Sequence, residues 1–295
     1  MSATSKHLFS RRSFLKAGAV GVAAAGLGLR PTIAAEKAAK KVAKKAAGKK
    51  IPIGLQLYSV REQCAKDLPA VLEAVGKMGY NGVEFAGYYD RGAKELRKLL
   101  DDNGLVCCGT HTALNTLTGD ALQGTIEFNR TIGNRFLIVP SMPAKLTASR
   151  EAWIEAAKLF SELSDKVKAE KMRVGYHAHG GDFKKFDGEF AWDIFFGAAK
   201  PEVVMQLDLG NCIDGGGDPV AELKKFPGRA TTIHLKEHGG PATAVIGEGD
   251  VNWKEIFALC EAGGTEWYIV EHERGGPDPI GDVRRCLEGL RKMGK

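Results

Sequence analysis

From Ile51 to the C-terminus the chain alternates between short apolar runs and amphipathic stretches of helical period, and few architectures can absorb that alternation. The apolar runs are Ile51–Tyr58, Gly82–Phe85, Leu105–Gly109, Phe136–Pro140, Met172–His177, Val203–Asp208, Thr231–Leu235 and Trp267–Glu271. Their length and their near-continuous apolar character suit strands buried on both faces. Between them lie Leu68–Met78, Ala93–Asn103, Asp120–Ile132, Ser149–Glu170, Glu189–Ala199, Asp218–Phe226, Trp253–Ala262 and Pro279–Met293. Gly79 and Gly263-Gly264 sit where left-handed helix caps are wanted, and Asp218-Pro219 supplies an N-cap followed by proline in the first turn. Strands separated by helices run parallel. Eight β/α units within residues 51–295 match a single-domain α/β fold, the (β/α)8 barrel. A doubly wound sheet would show a glycine-rich phosphate turn after its first strand, where this chain has Ser59, Val60, Arg61 and Glu62. Gly215-Gly216-Gly217 lacks that motif's spacing and is expected to be a mobile loop near the site.

In a barrel of this kind the reacting groups come from the C-terminal ends of the strands. Read in order, those ends carry Gln56 and Tyr58, Glu84, His111, His177 with His179, Asp208 with Asn211, His234 with Lys236, and Glu271 with His272. Five of the seven histidines fall in this set, where random placement would scatter them over helices and loops. His177, Asp208, His234 and Glu271 end the last four strands. They form a nitrogen/oxygen set that suits one divalent ion, Mn²⁺, Co²⁺, Zn²⁺ or Fe²⁺ in preference to Mg²⁺, which favours oxygen and water. Without a cation, such a buried group of carboxylates and imidazoles would be costly. Glu271 is the expected base, Glu84 and His179 are the other proton-transfer candidates, and Lys236 is placed to stabilise an oxyanion or deliver a proton. The plain structural alternative for Lys236 is an ion pair with Glu237. Gln56, Tyr58, His111 and Asn211 are the expected substrate-binding side chains, whereas strand alternation turns His272 toward the helices.

The formal charge of +6 is unevenly spread. Residues 1–50 hold twelve Lys/Arg and the single acid Glu36, which leaves 30 bases against 35 acids in residues 51–295. The body is acidic, which argues against a nucleic-acid partner and for a small molecule. Self-association into a homo-oligomer is compatible with the fold. Ser10-Arg11-Arg12-Ser13-Phe14-Leu15-Lys16, followed by the weakly apolar stretch Ala17–Leu29, has the pattern of a twin-arginine export signal. Residues 1–35 are therefore expected to be a signal peptide and residues 36–50 a Lys/Ala-rich linker, with the barrel over 51–295. The apolar stretch falls short of the roughly 20 residues a membrane span needs, so the mature chain is expected to have no stable span and to be periplasmic or otherwise extracytoplasmic. The six cysteines form no C-x-x-C pair and are expected to be buried free thiols.

Six short segments carry a family resemblance: Gly54–Arg61 (GLQLYSVR), Gly82–Phe85 (GVEF), Gly175–His179 (GYHAH), Leu207–Asn211 (LDLGN), His234–Lys236 (HLK) and Val270–Glu271. Together they resemble the xylose-isomerase-like TIM-barrel superfamily over roughly residues 51–293. That group includes sugar isomerases and epimerases, inosose dehydratases and apurinic-site endonucleases. The resemblance implies that Asp208, His234 and Glu271 match the metal ligands after the sixth, seventh and eighth strands of the ketose 3-epimerases. The fourth ligand there is a glutamate, and here His177 holds its place. In those epimerases the paired glutamates also move the proton, so this departure counts against a simple two-glutamate epimerisation. Tyr176-His177-Ala178-His179 resembles the inosose-dehydratase branch instead.

The expected activity is an exported, metal-dependent sugar isomerase or epimerase that moves a proton through a metal-stabilised enediolate. Its substrate is expected to be an unphosphorylated sugar or keto-sugar, because the strand ends show no Lys/Arg phosphate clamp. The alternative is a dehydratase or lyase acting on an inosose or 3-keto-glycoside with the same metal site.

Overall fold

The computed structural model of the protein describes residues 50–274 and 276–295. The expected signal peptide and nearly all of the linker lie outside the described residues. Eight parallel strands form one sheet: β1 (Ile53–Gln56), β2 (Gly82–Phe85), β3 (Val106–His111), β4 (Phe136–Val139), β5 (Arg173–His177), β6 (Val204–Gln206), β7 (Thr232–Leu235) and β8 (Trp267–Val270). Their order is β6-β5-β4-β3-β2-β1-β8-β7. The two ends of this sheet meet. Asp208 and His234 form a parallel bridge, the Met205 N–H donates to Arg229 O at 3.0 Å and the His234 N–H donates to Leu207 O at 2.9 Å. The sheet closes into the expected barrel, and its seam runs through two of the candidate ligands.

The helices are α1 (Arg61–Met78), α2 (Ala93–Asp102), α3 (Ala121–Ile132), α4 (Arg150–Lys168), α5 (Ala191–Ala198), α6 (Leu209–Asp214), α7 (Pro219–Lys225), α8 (Trp253–Gly263) and α9 (Pro279–Lys292). α1 begins seven residues before the expected Leu68, but it is broken at Asp67, whose backbone is non-helical. Asp67 Oδ1 accepts the Ala70 N–H at 3.0 Å, so the expected start is a real cap inside a kinked helix. α5 starts late because Glu189–Phe190 pairs with Lys185–Phe186 in a short antiparallel hairpin. α6 has too few residues to show a period. It exists because Asp208 Oδ1 accepts the Asn211 N–H at 2.7 Å. Two glycines of the run after it are closely packed, since a Cβ on Gly215 would lie 2.4 Å from Gly180 O and one on Gly217 would lie 2.7 Å from Cys212 Sγ, whereas Gly216 between them is exposed with open space around it.

Inside the barrel, Phe136, Ile138 and Val204 pack together with Trp267. Gly175 makes this possible, since a Cβ there would lie 2.7 Å from both Ile138 Cδ1 and Val204 Cβ. Outside, Trp153, Phe160, Tyr176 and Phe195 interlock edge to face between α4, α5 and β5. All six cysteines are free and buried, as expected. Among the described residues no helix is long and apolar enough to cross a membrane.

One buried polar pair in this shell has no catalytic position. Asp193 on α5 and Glu222 on α7 are both buried, each has one oxygen without a hydrogen-bond partner, and Lys225 Nζ lies 2.9 Å from Asp193 Oδ2. Burial, with the neighbouring Asp193 charge, pushes the Glu222 carboxyl up to about 8. A carboxyl whose folded pKa is raised is protonated in both states at low pH and weakens the fold as pH climbs toward that value. The slope is at most about 1.4 kcal/mol per pH unit. Glu222→Gln is therefore expected to match the parent in urea unfolding near pH 4.5 and to exceed it by ~1–3 kcal/mol near pH 8. An equal difference at both pH values would contradict this.

Candidate metal centre

The site begins with strand alternation. In β6 and the residues that follow it, Gln206 and Asp208 share the inward face; in β7, Thr232 and His234 do. His177 ends β5 and Glu271 follows β8, so all four candidate ligands arrive at one end of the barrel. Their ligand atoms lie within 4.8 Å of one another, and all four residues are buried. His111, His177 and His234 form a second, overlapping group. The His111 ring centroid is 4.7 Å from that of His177 and 5.5 Å from that of His234.

His234 is held between two carboxylates, with Nδ1 2.7 Å from Glu271 Oε2 and Nε2 2.6 Å from Glu84 Oε2. Burial disfavours its charged form, but Glu84 and Glu271 outweigh burial and raise His234 to about 10. The same contacts overcome burial at both acids, holding Glu84 below and Glu271 well below the ordinary carboxylate range. His177 goes the other way: burial, then the charges of His234 and His111, push it far down and leave a neutral ring. Asp208 is wholly buried, and its Oδ2 has no hydrogen-bond partner. Burial, then the Glu271 charge, lifts it to about 7. A neutral imidazole, an orphaned carboxylate oxygen and a second carboxylate around one point form the donor set that fits a divalent cation.

Lys236 does not pair with Glu237. Its Nζ lies 3.0 Å from Asn211 Oδ1 and 3.3 Å from Glu271 Oε1, and it also bonds Glu273 Oε2. Burial opposes the ammonium, yet the Asp208, Glu271 and Glu273 carboxylates hold its pKa above the usual lysine value. Glu237 is turned outward and accepts N–H donors from His238, Gly247, Val251 and the Trp253 indole, which pins the loop between β7 and α8.

The other expected site residues divide between the mouth and the floor. His179 is exposed at the rim, its ring edge-on to His177 at 4.8 Å, and the partial loss of solvent around that ring outweighs the opposing Glu271 charge and lowers its pKa. Tyr58 is 43% exposed with the Arg61 guanidinium 4.4 Å above its ring. Asn211 spends its amide on the Ala178 carbonyl at 2.9 Å and on Lys236. Gln56 and Glu84 are fully buried. Gln56 accepts the Tyr58 N–H at 2.9 Å and donates to Glu84 Oε2 at 2.7 Å. Both Glu84 oxygens take donors, so the structure brings Glu84 to His234 and to no open space. A register shift between Val83 and Glu84 sets Glu84 opposite Gly109, where a Cβ would lie 2.2 Å from Glu84 Oε1. As expected, His272 faces α9, its Nε2 3.9 Å from Asp282 Oδ2.

Sequence reasoning missed Gln206, Thr232 and Glu273. Gln206 joins His111, His177, Glu84 and Thr232 in one buried network. The available signal was a polar residue two positions before a ligand, on the same strand face.

Residues 72–293 match the family described as Xylose isomerase-like TIM barrel. Residues 8–28 match the twin-arginine translocation pathway signal sequence, so the chain carries an export signal. An inosose dehydratase of Clostridium tetani is 22% identical over 253 residues, covering 72% of this chain and 82% of that protein. A solved sugar phosphate isomerase/epimerase from Parabacteroides distasonis is 27% identical with a TM-score of 0.71, over 82% of this chain and 98% of that one. A D-allulose 3-epimerase from Methylomonas sp., 13% identical with a TM-score of 0.60, shares the fold over 83% of this chain and 98% of its own. With the family matched over most of the barrel and the closed eight-stranded topology, the chain belongs to the xylose isomerase-like TIM-barrel family.

Proposed function

We propose that this protein is an exported, divalent-metal-dependent isomerase or epimerase that removes the proton beside the carbonyl of an unphosphorylated sugar or keto-sugar. The observation that carries the reading is the convergence of His177, Asp208, His234 and Glu271, with the Asp208 Oδ2 lone pairs uncompensated. These four residues would hold the ion, Mn²⁺, Co²⁺, Zn²⁺ or Fe²⁺ before Mg²⁺. Bound there, it would polarise a sugar carbonyl and adjacent hydroxyl and stabilise the negative charge that follows proton removal.

The side chains account for the rest. Glu271 turns Oε2 to His234 and Oε1 to Lys236, so one carboxylate bridges the ligand group and the mouth. It takes the carbon-bound proton and returns it to the neighbouring carbon or the opposite face. Lys236, kept charged by three carboxylates, supplies a proton to the developing oxyanion. Glu84 holds His234 from below. His179 and Tyr58, both exposed at the strand ends, contact the substrate from outside.

Elimination is the second reading, favoured by the inosose dehydratase relatives and by histidine at position 177 in place of a second glutamate. In that reaction the proton on Lys236 goes to a departing hydroxyl or glycosidic oxygen. Incubation of the protein with Mn²⁺ or Co²⁺ and a panel of ketoses and keto-glycosides in D₂O, read by NMR, separates the two. Deuterium gain with an epimeric or isomeric product is expected. An unsaturated product or a released aglycone establishes elimination, and no metal-stimulated exchange with any substrate removes both readings.

A further inference from the structure

Gln206 is wholly buried on β6 and reaches four other strands. Its Oε1 lies 3.1 Å from both His177 Nδ1 and His111 Nε2. Its Nε2 lies 2.8 Å from Glu84 Oε1 and 3.1 Å from Thr232 Oγ1. A side-chain amide can be turned end for end, so the sense of these bonds must be set from elsewhere.

It is set at Tyr58. The Tyr58 backbone N–H can only donate, and it lies 2.9 Å from Gln56 Oε1. Gln56 must then turn its NH₂ to Glu84 Oε2, 2.7 Å away. Glu84 also takes His234 Nε2 and meets Gln206 through its other oxygen. An ionised carboxylate only accepts, so Gln206 presents its NH₂ to Glu84 and its carbonyl to the two imidazoles. A carbonyl also only accepts. His177 must therefore carry its hydrogen on Nδ1, and His111 on Nε2.

We infer that Gln206 is a positioning residue that fixes the ring tautomers of His177 and His111, leaving Nε2 as the lone pair His177 can offer to a metal. The need for it lies in the surrounding charge. Asp208 and Glu271 stand in the same ligand group as His177, and Asp208 Oδ2 has no donor. Left unguided, the His177 hydrogen would be drawn to that side and would occupy the lone pair a cation needs. The buried carbonyl of Gln206 holds it on the opposite nitrogen. The fixed end of the chain is a backbone amide, so no amide flip at Gln56 or Gln206 can reverse the outcome while Glu84 is ionised. Second-layer partners of this kind fix ring orientation and tautomer in metal sites generally.

The purpose of the device rests on the metal reading, but the tautomers themselves do not, and the test keeps the two apart. Full-chain protein with ¹⁵N-labelled histidine, free of metal, is examined by long-range ¹H–¹⁵N correlation. A protonated Nδ1 and an unprotonated Nε2 are expected for His177. Gln206→Met, which keeps length but removes both polar ends, is expected to move the His177 hydrogen to Nε2. Gln206→Glu, sharing one proton with Glu84 and keeping an acceptor toward the rings, is expected to retain the parent pattern. Titration with Co²⁺, followed by its visible bands, should show about 10–100-fold weaker binding in Gln206→Met. An unprotonated His177 Nδ1 in the parent, or an unchanged pattern in Gln206→Met, overturns the proposal. If Gln206→Met fails to fold, the parent spectrum decides alone. Parent protein with the assigned tautomers but no Co²⁺ uptake counts against the metal reading and supports this one.

Discussion

Glu271→Gln is expected to lower turnover by about 10²–10⁴-fold, the range a positioned general base contributes. The substitution keeps the side chain's volume at a buried position. It leaves an amide oxygen that can still accept from His234, where Glu271 Oε2 lies 2.7 Å from Nδ1. What it removes is the group that can take a proton and the charge that faces Lys236 at 3.3 Å. Metal content must be measured beside activity, because an amide is also a poorer ligand than a carboxylate. Activity lost with metal retained assigns Glu271 to proton transfer. Turnover within tenfold of the parent would place the base elsewhere, with the exposed His179 next in line.

Asp208→Asn should separate function from stability in opposite directions. Oδ1 of Asp208 caps α6 through the Asn211 N–H, and asparagine can serve that cap equally well. Oδ2, wholly buried and without a partner, becomes an NH₂ that cannot ligate. Metal affinity should fall by more than the roughly 10–100-fold that loss of a supporting partner costs. The metal-free variant should nevertheless be the more stable protein above neutral pH. Burial and Glu271 raise the Asp208 carboxyl to about 7, so the metal-free parent loses stability as pH rises from the ordinary carboxylate range to that value. The loss is at most about 1.4 kcal/mol per pH unit, so of the order of a few kcal/mol at pH 8 and absent near pH 4. Paired urea unfolding curves at pH 4 and pH 8 with chelator present check the sign. A parent that is more stable than Asp208→Asn at pH 8 without metal would show that the orphaned oxygen is not a liability.

The barrel was legible because its signal is repeated. Eight apolar runs and their intervening periods tolerate local errors such as the late α5 or the kink at Asp67. The ends of the last four strands were legible for a similar reason: His, Asp and Glu are rare at the end of a buried run, and four in a row point the same way. The layer beneath was not. Gln206 reads as strand filler until it is known that His111, Glu84, His177 and Thr232 surround it, and that depends on how five strands are registered around a closed barrel. Gln56 illustrates the same limit. Its position at the end of β1 suggested substrate contact, whereas the chain's own backbone at Tyr58 and the Glu84 carboxylate use both ends of its amide. The role of Lys236 depended on the turn of a single residue, since alternation sends Glu237 outward and leaves Lys236 facing Glu271 and Glu273.

The joint between β6 and β7 has a mechanical consequence. Seven of the eight strand-to-strand contacts do not involve this joint and could persist in an open, curled sheet; here the cylinder is latched by one bridge, Asp208 to His234, and a few flanking backbone bonds. The side chains of those same two residues stand in the proposed ligand group, one on either side of the gap. A cation gripped by both would act as a rivet through the weakest line of the wall, so that loading the centre and tightening the shell become a single event.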